Sequence, residues 1–442
     1  MSNHKRKRKI KRLLRRMIRM AILILPVIIL GTAIILLTKK DDKPKKDKTQ
    51  EVVQETEKEE TPEQKPITAT ILSAGDILMQ DPLLTSNYYK KADGSFTYES
   101  LFHYIKAEYS VSDFTVLNLE STISDGNYRG YPNFKAPEAI VKAMANNHVN
   151  ACMLANNHIY DNLEKGFRRT IQAVSDNRLV YMGVRNTTNE KTYTIQDING
   201  IKVGFFNYVY DTGAKNGQAV SINTIPVSNT ISQLINTFNY GNLQALYDKI
   251  QTGLSEMKEA GVEYTIAYIH WGNEYQTTEN STQRKIAAKL CELGIDALIG
   301  GHPHVVQPVD LLTNTDGSHQ MLCVYSMGNH LSDQYKERMD SCPTGHTEDG
   351  IMVRLELEKT EGTPVTLKNV EFIPTWVYRT PGEPGTGNPE YYIMPLNNPE
   401  QIIKEASHLN IATDVQESLE RTNAIIGNGV TKIKNALPIR KK

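Results

Sequence analysis

A series of polar residues in this chain could bind a metal, and each stands at the same kind of address. Asp76 ends the run ILSAGD, Glu120 ends TVLNLE and His270 ends TIAYIH. His302 and His304 follow DALIGG, Asn157 and His158 follow VNACMLAN, and Asn329 and His330 follow LCVYSMG. Three imidazoles (His270, His302, His304), two carboxylates (Asp76, Glu120) and the amide of Asn157 make a donor set for a transition ion. The GGHPH stretch is the most specific piece, because two His flanking a Pro after a Gly pair have no ready explanation in packing. A His-rich set prefers Mn, Fe or Zn to Mg or Ca, with one or two ions bound.

Such residues converge only if their strands lie side by side. Short apolar runs alternate with amphipathic helical stretches such as LEKGFRRTIQAVSDN and TQRKIAAKLCELG, which is the α/β pattern. In a parallel sheet the carboxyl ends of the strands share one edge, where ligands bind. The alternating runs GIMVRLELEK and TLKNVEFIP predict two further strands, and the Asn-, Ser- and Thr-rich stretch 212–240 reads as a long loop. The tetrapeptide Ala-Asn-Asn-His occurs at 145–148 and again at 155–158. The first copy follows a helical stretch and reads as its left-handed stop. The second follows a strand-like run, which makes Asn157 and His158 the site candidates. Asp161 and Glu164 have the spacing of a capping box for the helix after it.

The ends of the chain read differently. Residues 1–19 hold ten of the 50 Lys and Arg and none of the 50 Asp and Glu, so the remainder is acidic, 40 bases against 50 acids. The uncharged run 21–38, AILILPVIILGTAIILLT, would span about 27 Å as a helix, close to a bilayer core. These features predict a basic cytoplasmic tail (1–19), a single transmembrane anchor (20–38) and an extracytoplasmic remainder at the cell membrane. A cleaved signal peptide is the alternative, disfavoured by the length of the run and the absence of a small-x-small site. A nucleic-acid-binding arm is disfavoured by its place beside an apolar run. Residues 39–66 are charged and Pro-punctuated and read as a disordered stalk. The main domain is expected at 67–395 and a helical C-terminal appendage at 396–442. The four Cys (152, 291, 323, 342) lack zinc-finger spacing and read as idle thiols.

The ordered motifs GD, NLES, NNHIYD, HWGNEY, GGHPHVVQP and YSMGN, with GYPNFKAPEAI, closely resemble the CapA (PgsA) family of poly-γ-glutamate capsule proteins over about Ile67 to Pro395. The resemblance implies a calcineurin-like metallophosphoesterase fold, two mixed β-sheets flanked by helices with a two-metal site at the strand ends. It implies Asp76, Glu120, Asn157, His270, His302 and His304 as ligands, with Glu120 in the bridging place. It implies His158 as the catalytic His, with Asp161 as its acid. Glu274, one helical turn after His270, and Asn329 are possible additional ligands; His330 stands where the family has an apolar residue. Arg129 and Lys135 are candidate substrate contacts. One departure is Leu78, where classical members carry the His of Asp-x-His, so one ion lacks a ligand.

The expected role is synthesis, export or attachment of poly-γ-glutamate or a related anionic envelope polymer, beside a capsule synthetase or export complex. A working phosphoesterase on an envelope glycopolymer or lipid-linked precursor is the alternative, and a scaffold with a structural metal is a third. Nucleic acid is not an expected partner.

Overall fold

Two neighbouring residues of the first strand show how the layers arise. Ile71 and Leu72 in Ile67–Ile77 (β1) point to opposite faces, and both are fully buried. A strand covered on both faces belongs to the interior of a layered α/β structure. The protein is described by a computed structural model over residues 65–213, 220–381 and 388–440.

From β1 the chain adds three parallel neighbours, Phe114–Leu119 (β2), Ala151–Met153 (β3) and Val180–Met182 (β4). It then crosses to a second sheet built from Thr194–Ile198 (β5), Ile201–Tyr210 (β6), Thr237–Phe238 (β7), Tyr264–His270 (β8), Ala297–Gly301 (β9), Val309–Thr313 (β10) and Gln320–Val324 (β11). It returns to the first sheet with Asn329–Leu331 (β12), Asp349–Lys359 (β13), Thr366–Arg379 (β14), Tyr391–Pro395 (β15) and Ile439–Arg440 (β16). The first sheet has the order β15-β14-β13-β1-β2-β3-β4, with β12 also paired to β1 and β16 to β14. The second has the order β7-β6-β8-β9-β11-β10, with β5 on β6. Both are mixed: β6, β7, β8, β9 and β11 run parallel, while β5 and β10 are antiparallel edges.

One face of each sheet meets the other. Ile71 and Val116 pack with Phe205, Ile266, Tyr268 and Ile299, and the Ser73 and Tyr268 hydroxyls meet at 2.8 Å across the gap. The alternate residues face outward and are covered by helices. Ala139–Asn146 (α1) and Leu163–Asp176 (α2) bring Ile140, Met144, Phe167 and Ile171 onto Leu72, Leu117 and Cys152. Leu243–Glu259 (α3) and Ser281–Leu293 (α4) bring Leu246, Ile250, Ile286 and Leu290 onto Phe206, Ala267, Ile269 and Leu298. Each such side chain taken from water contributes about 1.5–3 kcal/mol. All four cysteines are buried and unpaired, as expected for idle thiols.

The last helix, Ala412–Ala436 (α5), is fastened to this body. Ile426 and Ile433 enter the inter-sheet core, and Gly429 lies so close to β10 that a Cβ there would sit 1.7 Å from the Val309 carbonyl oxygen. Arg421 donates to both oxygens of the buried Asp349 at 2.7 and 2.8 Å, and Ser418 donates to the same carboxylate at 2.6 Å.

The expected single-pass location at the cell membrane is corrected here. No helix among the described residues is long and apolar enough to cross a membrane. The longest, α5, has 25 residues but carries Asp, Glu, Arg and Lys along its length. The segment 20–38, on which the expectation rested, lies outside the described residues, as do the tail 1–19 and most of the proposed stalk.

Candidate metal centre

The parallel registers do the gathering. Asp76 at the end of β1 lies opposite Asn118 of β2 and Asn329 of β12, and His270 at the end of β8 lies opposite Gly301 of β9. Close packing requires Gly at 300 and favours it at 301, just before the histidines. A Cβ on Gly300 would lie 2.1 Å from the Tyr325 carbonyl oxygen, and one on Gly301 would lie 3.1 Å from Asp76 Oδ1. Beyond the strand His302 and His304 both adopt positive φ, 95° and 56°, an uncommon conformation for non-glycine residues that is found at functional sites.

The result is a buried cluster centred on Glu120. The ligand atoms of Asp76, Glu120 and His270 all lie within 4.8 Å of one another, and so do those of Glu120, His302 and His304. Glu120 therefore belongs to both groups. Its Oε2 accepts from Asn118 Nδ2 at 3.2 Å, and the same amide donates to Asp76 Oδ1 at 2.7 Å. Its Oε1 is buried without a hydrogen-bond partner, 3.5 Å from His270 Nε2 and 3.8 Å from His304 Nε2. His302 has a second such atom. Its Nε2 meets the Tyr210 hydroxyl at 3.1 Å, while its Nδ1 is buried and unpartnered. On His304, Nδ1 faces Asn329 Oδ1 at 3.1 Å and Asp76 Oδ2 at 3.3 Å, which leaves Nε2 as the lone-pair nitrogen. Asn157 Oδ1 lies 2.7 Å from His270 Nε2. Orphaned polar atoms are costly inside a protein, and a shared cation satisfies them together. These buried His, Glu and Asp groups could hold a metal ion.

The electrostatics agree. Burial raises the Glu120 carboxyl well above its usual range, and the charge of Asp76 raises it further. Burial holds His270 down to about 3 and His302 well below its ordinary value. Both rings are thus neutral, the form that ligates. Burial opposes the ionisation of Asp76, but its hydrogen bond and charge interaction with His304 hold its pKa below the ordinary value, and those same contacts raise His304 despite burial. A bound cation reverses the penalty on Glu120.

Beside this cluster sits a His–carboxylate pair. His158 Nδ1 lies 2.7 Å from Asp161 Oδ2, which also accepts from the Phe134 amide at 2.6 Å. Asp161 is therefore not the cap of α2; the N-cap is Asn162, and Glu164 pairs with Arg168 at 2.8 Å. The first copy of the tetrapeptide behaves differently. Asn146 ends α1, Asn147 Nδ2 bonds the Ala143 carbonyl at 2.8 Å, and His148 takes φ 66°.

The other candidates lie around this cluster rather than in its ligand groups. Glu274 is exposed in a turn rather than on a helix, within electrostatic reach of Glu120 and His304. Asn329 orients His304 and is itself fixed by Gln334 at 2.8 Å and the Thr347 carbonyl at 2.9 Å. Arg129 is bonded to Asn162 at 3.0 Å and pairs backbone to backbone with Lys135. Leu78 is buried and offers no ligand. Sequence reasoning missed Asn118, Asn156 and Tyr210. Asn156 donates to Asn118 at 3.1 Å and accepts from the His158 amide at 3.2 Å, so it joins the two halves of the site.

His330 turns away to the Tyr109 hydroxyl, and burial pushes its pKa from 6.5 to about 3. The folded ring stays neutral while the unfolded one takes a proton near pH 6.5. Its contribution is present above that pH and is lost as pH falls towards 3, at about 1.4 kcal/mol per unit. Urea unfolding at pH 6.5 and 5.5 should therefore show about 1 kcal/mol more loss for wild type than for His330→Leu, because the interval starts at the unfolded pKa. Equal losses would mean that the ring protonates freely in the fold.

Residues 70–334 match the family described as bacterial capsule synthesis protein PGA_cap. The chain is 26% identical over 324 residues to the PGA biosynthesis protein CapA of Bacillus subtilis (strain 168), covering 70% of this chain and 75% of that one. It is 25% identical over 303 residues to the capsule biosynthesis protein CapA of Bacillus anthracis, covering 67% of this chain and 65% of the relative, just under two thirds of its length.

Proposed function

The chain belongs to the PGA_cap family of bacterial capsule synthesis proteins, and from that premise we propose that it serves the making of poly-γ-glutamate or a related anionic envelope polymer and carries a divalent-metal, phosphoesterase-like site. The role is synthesis, export or attachment of the polymer. The observation that carries the site is Glu120, a buried carboxylate with an unpartnered oxygen that belongs to both ligand groups.

In this reading Asp76, Glu120 and His270, with Asn157 beside them, would hold one ion and Glu120, His302 and His304 a second, with Mn, Fe or Zn favoured by the imidazoles. Such ions supply Lewis acidity to a phosphoryl oxygen and acidify water. Asp161 accepts Nδ1–H of His158 and so steadies the imidazolium, from whose Nε2–H a proton would pass to the departing oxygen. Leu78 leaves the Asp76 group without the His of the classical motif, so that ion would rest on Asp76, Glu120, His270 and Asn157. Arg129 and Lys135 stand near Phe134, whose ring packs perpendicular to that of His158 with centroids 4.6 Å apart, and could meet a local negative charge. The His158–Asp161 pair favours a working hydrolase over a scaffold, since a structural metal needs no proton donor.

The test is complementation of polymer-producing cells that lack their own family member. Wild type should restore surface polymer and His302→Ala should not, at equal protein levels. Full restoration by His302→Ala would separate the polymer role from the metal site.

A further inference from the structure

Within the stretch 212–240, Ser221–Ile222 and Ile225–Pro226 pair as a two-residue β-hairpin. Its tip is Asn223–Thr224, with φ 48° and 63°. Both signs suit a type I′ turn, which ordinarily takes Asn-Gly. Thr at φ 63° is an outlier for a β-branched residue, so the tip holds a conformation its sequence resists. The surroundings hold it there. Ile222 is fully buried in the main core, the Val227 amide bonds the Val220 carbonyl at 2.9 Å, and the Thr224 amide bonds Thr212 Oγ1 at 3.0 Å.

What this conformation presents is the side chain of Asn223. Its Nδ2 lies 3.3 Å from Asp161 Oδ1, 3.4 Å from His158 Nδ1 and 3.5 Å from the Pro132 carbonyl oxygen. Asp161 Oδ2 is already taken by the Phe134 amide and His158. Asn223 therefore reaches the remaining carboxylate oxygen, from an element that contributes no other residue to the site.

We propose that Asn223 is a positioning residue for the His158–Asp161 pair. Its amide donates to Asp161 Oδ1, stops the carboxylate from turning, and keeps Oδ2 on His158 Nδ1–H. The ring is then held as one tautomer, with Nε2 as the nitrogen open to the site. Asn suits the place because it tolerates left-handed φ and supplies a donor; Gly would keep the turn and lose the donor. This inference rests on His158 being the proton donor of the proposed phosphoesterase site.

The test separates turn from amide in the full chain. Long-range imidazole ¹⁵N spectra of the His-labelled protein, with His158 assigned by His158→Gln, read the tautomer directly. Wild type and Thr224→Gly should show a fixed Nδ1–H ring. Asn223→Gly and Asn223→Asp should show exchange between tautomers, with unchanged metal content and thermal midpoint. With a chromogenic phosphodiester and manganese, Asn223→Gly should lower kcat about tenfold at unchanged KM. A fixed Nδ1–H ring in both Asn223 variants, or a wild-type kcat in Asn223→Gly, would overturn the proposal. A wild type that hydrolyses nothing, yet loses its fixed tautomer in Asn223→Gly, would remove the phosphoesterase reading and leave the positioning role intact.

Discussion

Glu120→Ala should strip the protein of bound metal and lower phosphodiester hydrolysis on the order of 10³-fold, the largest loss expected from any single ligand. The reason is membership in both ligand groups: removing this side chain leaves Asp76 with His270, and His302 with His304. The fold should survive, because the strands that carry these residues are held by apolar packing on both faces. Glu120→Gln adds a test of sign. With chelator present, the buried Glu120 carboxylate is destabilising at neutral pH, since burial and Asp76 raise its pKa above the unfolded value. Chelated Glu120→Gln should therefore melt at a higher temperature than chelated wild type, and at a lower one when manganese is supplied. The same ranking of melting points in both conditions would show that Glu120 is a structural acid rather than a ligand.

His158→Ala should lower kcat by about 10²–10⁴-fold while keeping metal, as expected for loss of a proton donor. His148→Ala should leave metal and activity alone, although the two residues sit in identical tetrapeptides. His148 itself already carries left-handed strain at φ 66°, as any residue with a Cβ does, so His148→Ala should change stability little and His148→Gly should relieve roughly 1–2 kcal/mol. Loss of metal in His148→Ala, with a silent His158→Ala, would exchange the roles of the two copies.

The contrast between those copies shows what was legible in the sequence. Short apolar runs located β1, β2, β8 and β9, and the rule that parallel strands share an edge brought Asp76, Glu120, His270, His302 and His304 together. Asn118 was not legible, because it lies inside an apolar run and gains its partners only from the register of β1 against β2. Asn156 was passed over for its neighbour Asn157, since nothing local says which amide turns inward. Asp161 has a capping spacing, but the Phe134 amide and His158 compete for its carboxylate and win. Asn223 depends on a hairpin in a stretch whose composition signals only loop. The membrane expectation came from the apolar run and the basic flank before it, and the described helices offer it no support.

Elemental analysis of wild-type full chain, purified without chelator after exposure to manganese, iron or zinc, reads the metal centre itself. It should find stoichiometric metal, one or two ions per chain, that falls in His302→Ala and His304→Ala and is absent from Glu120→Ala. Wild-type protein that carries no stoichiometric metal under any of the three ions would contradict a metal centre here.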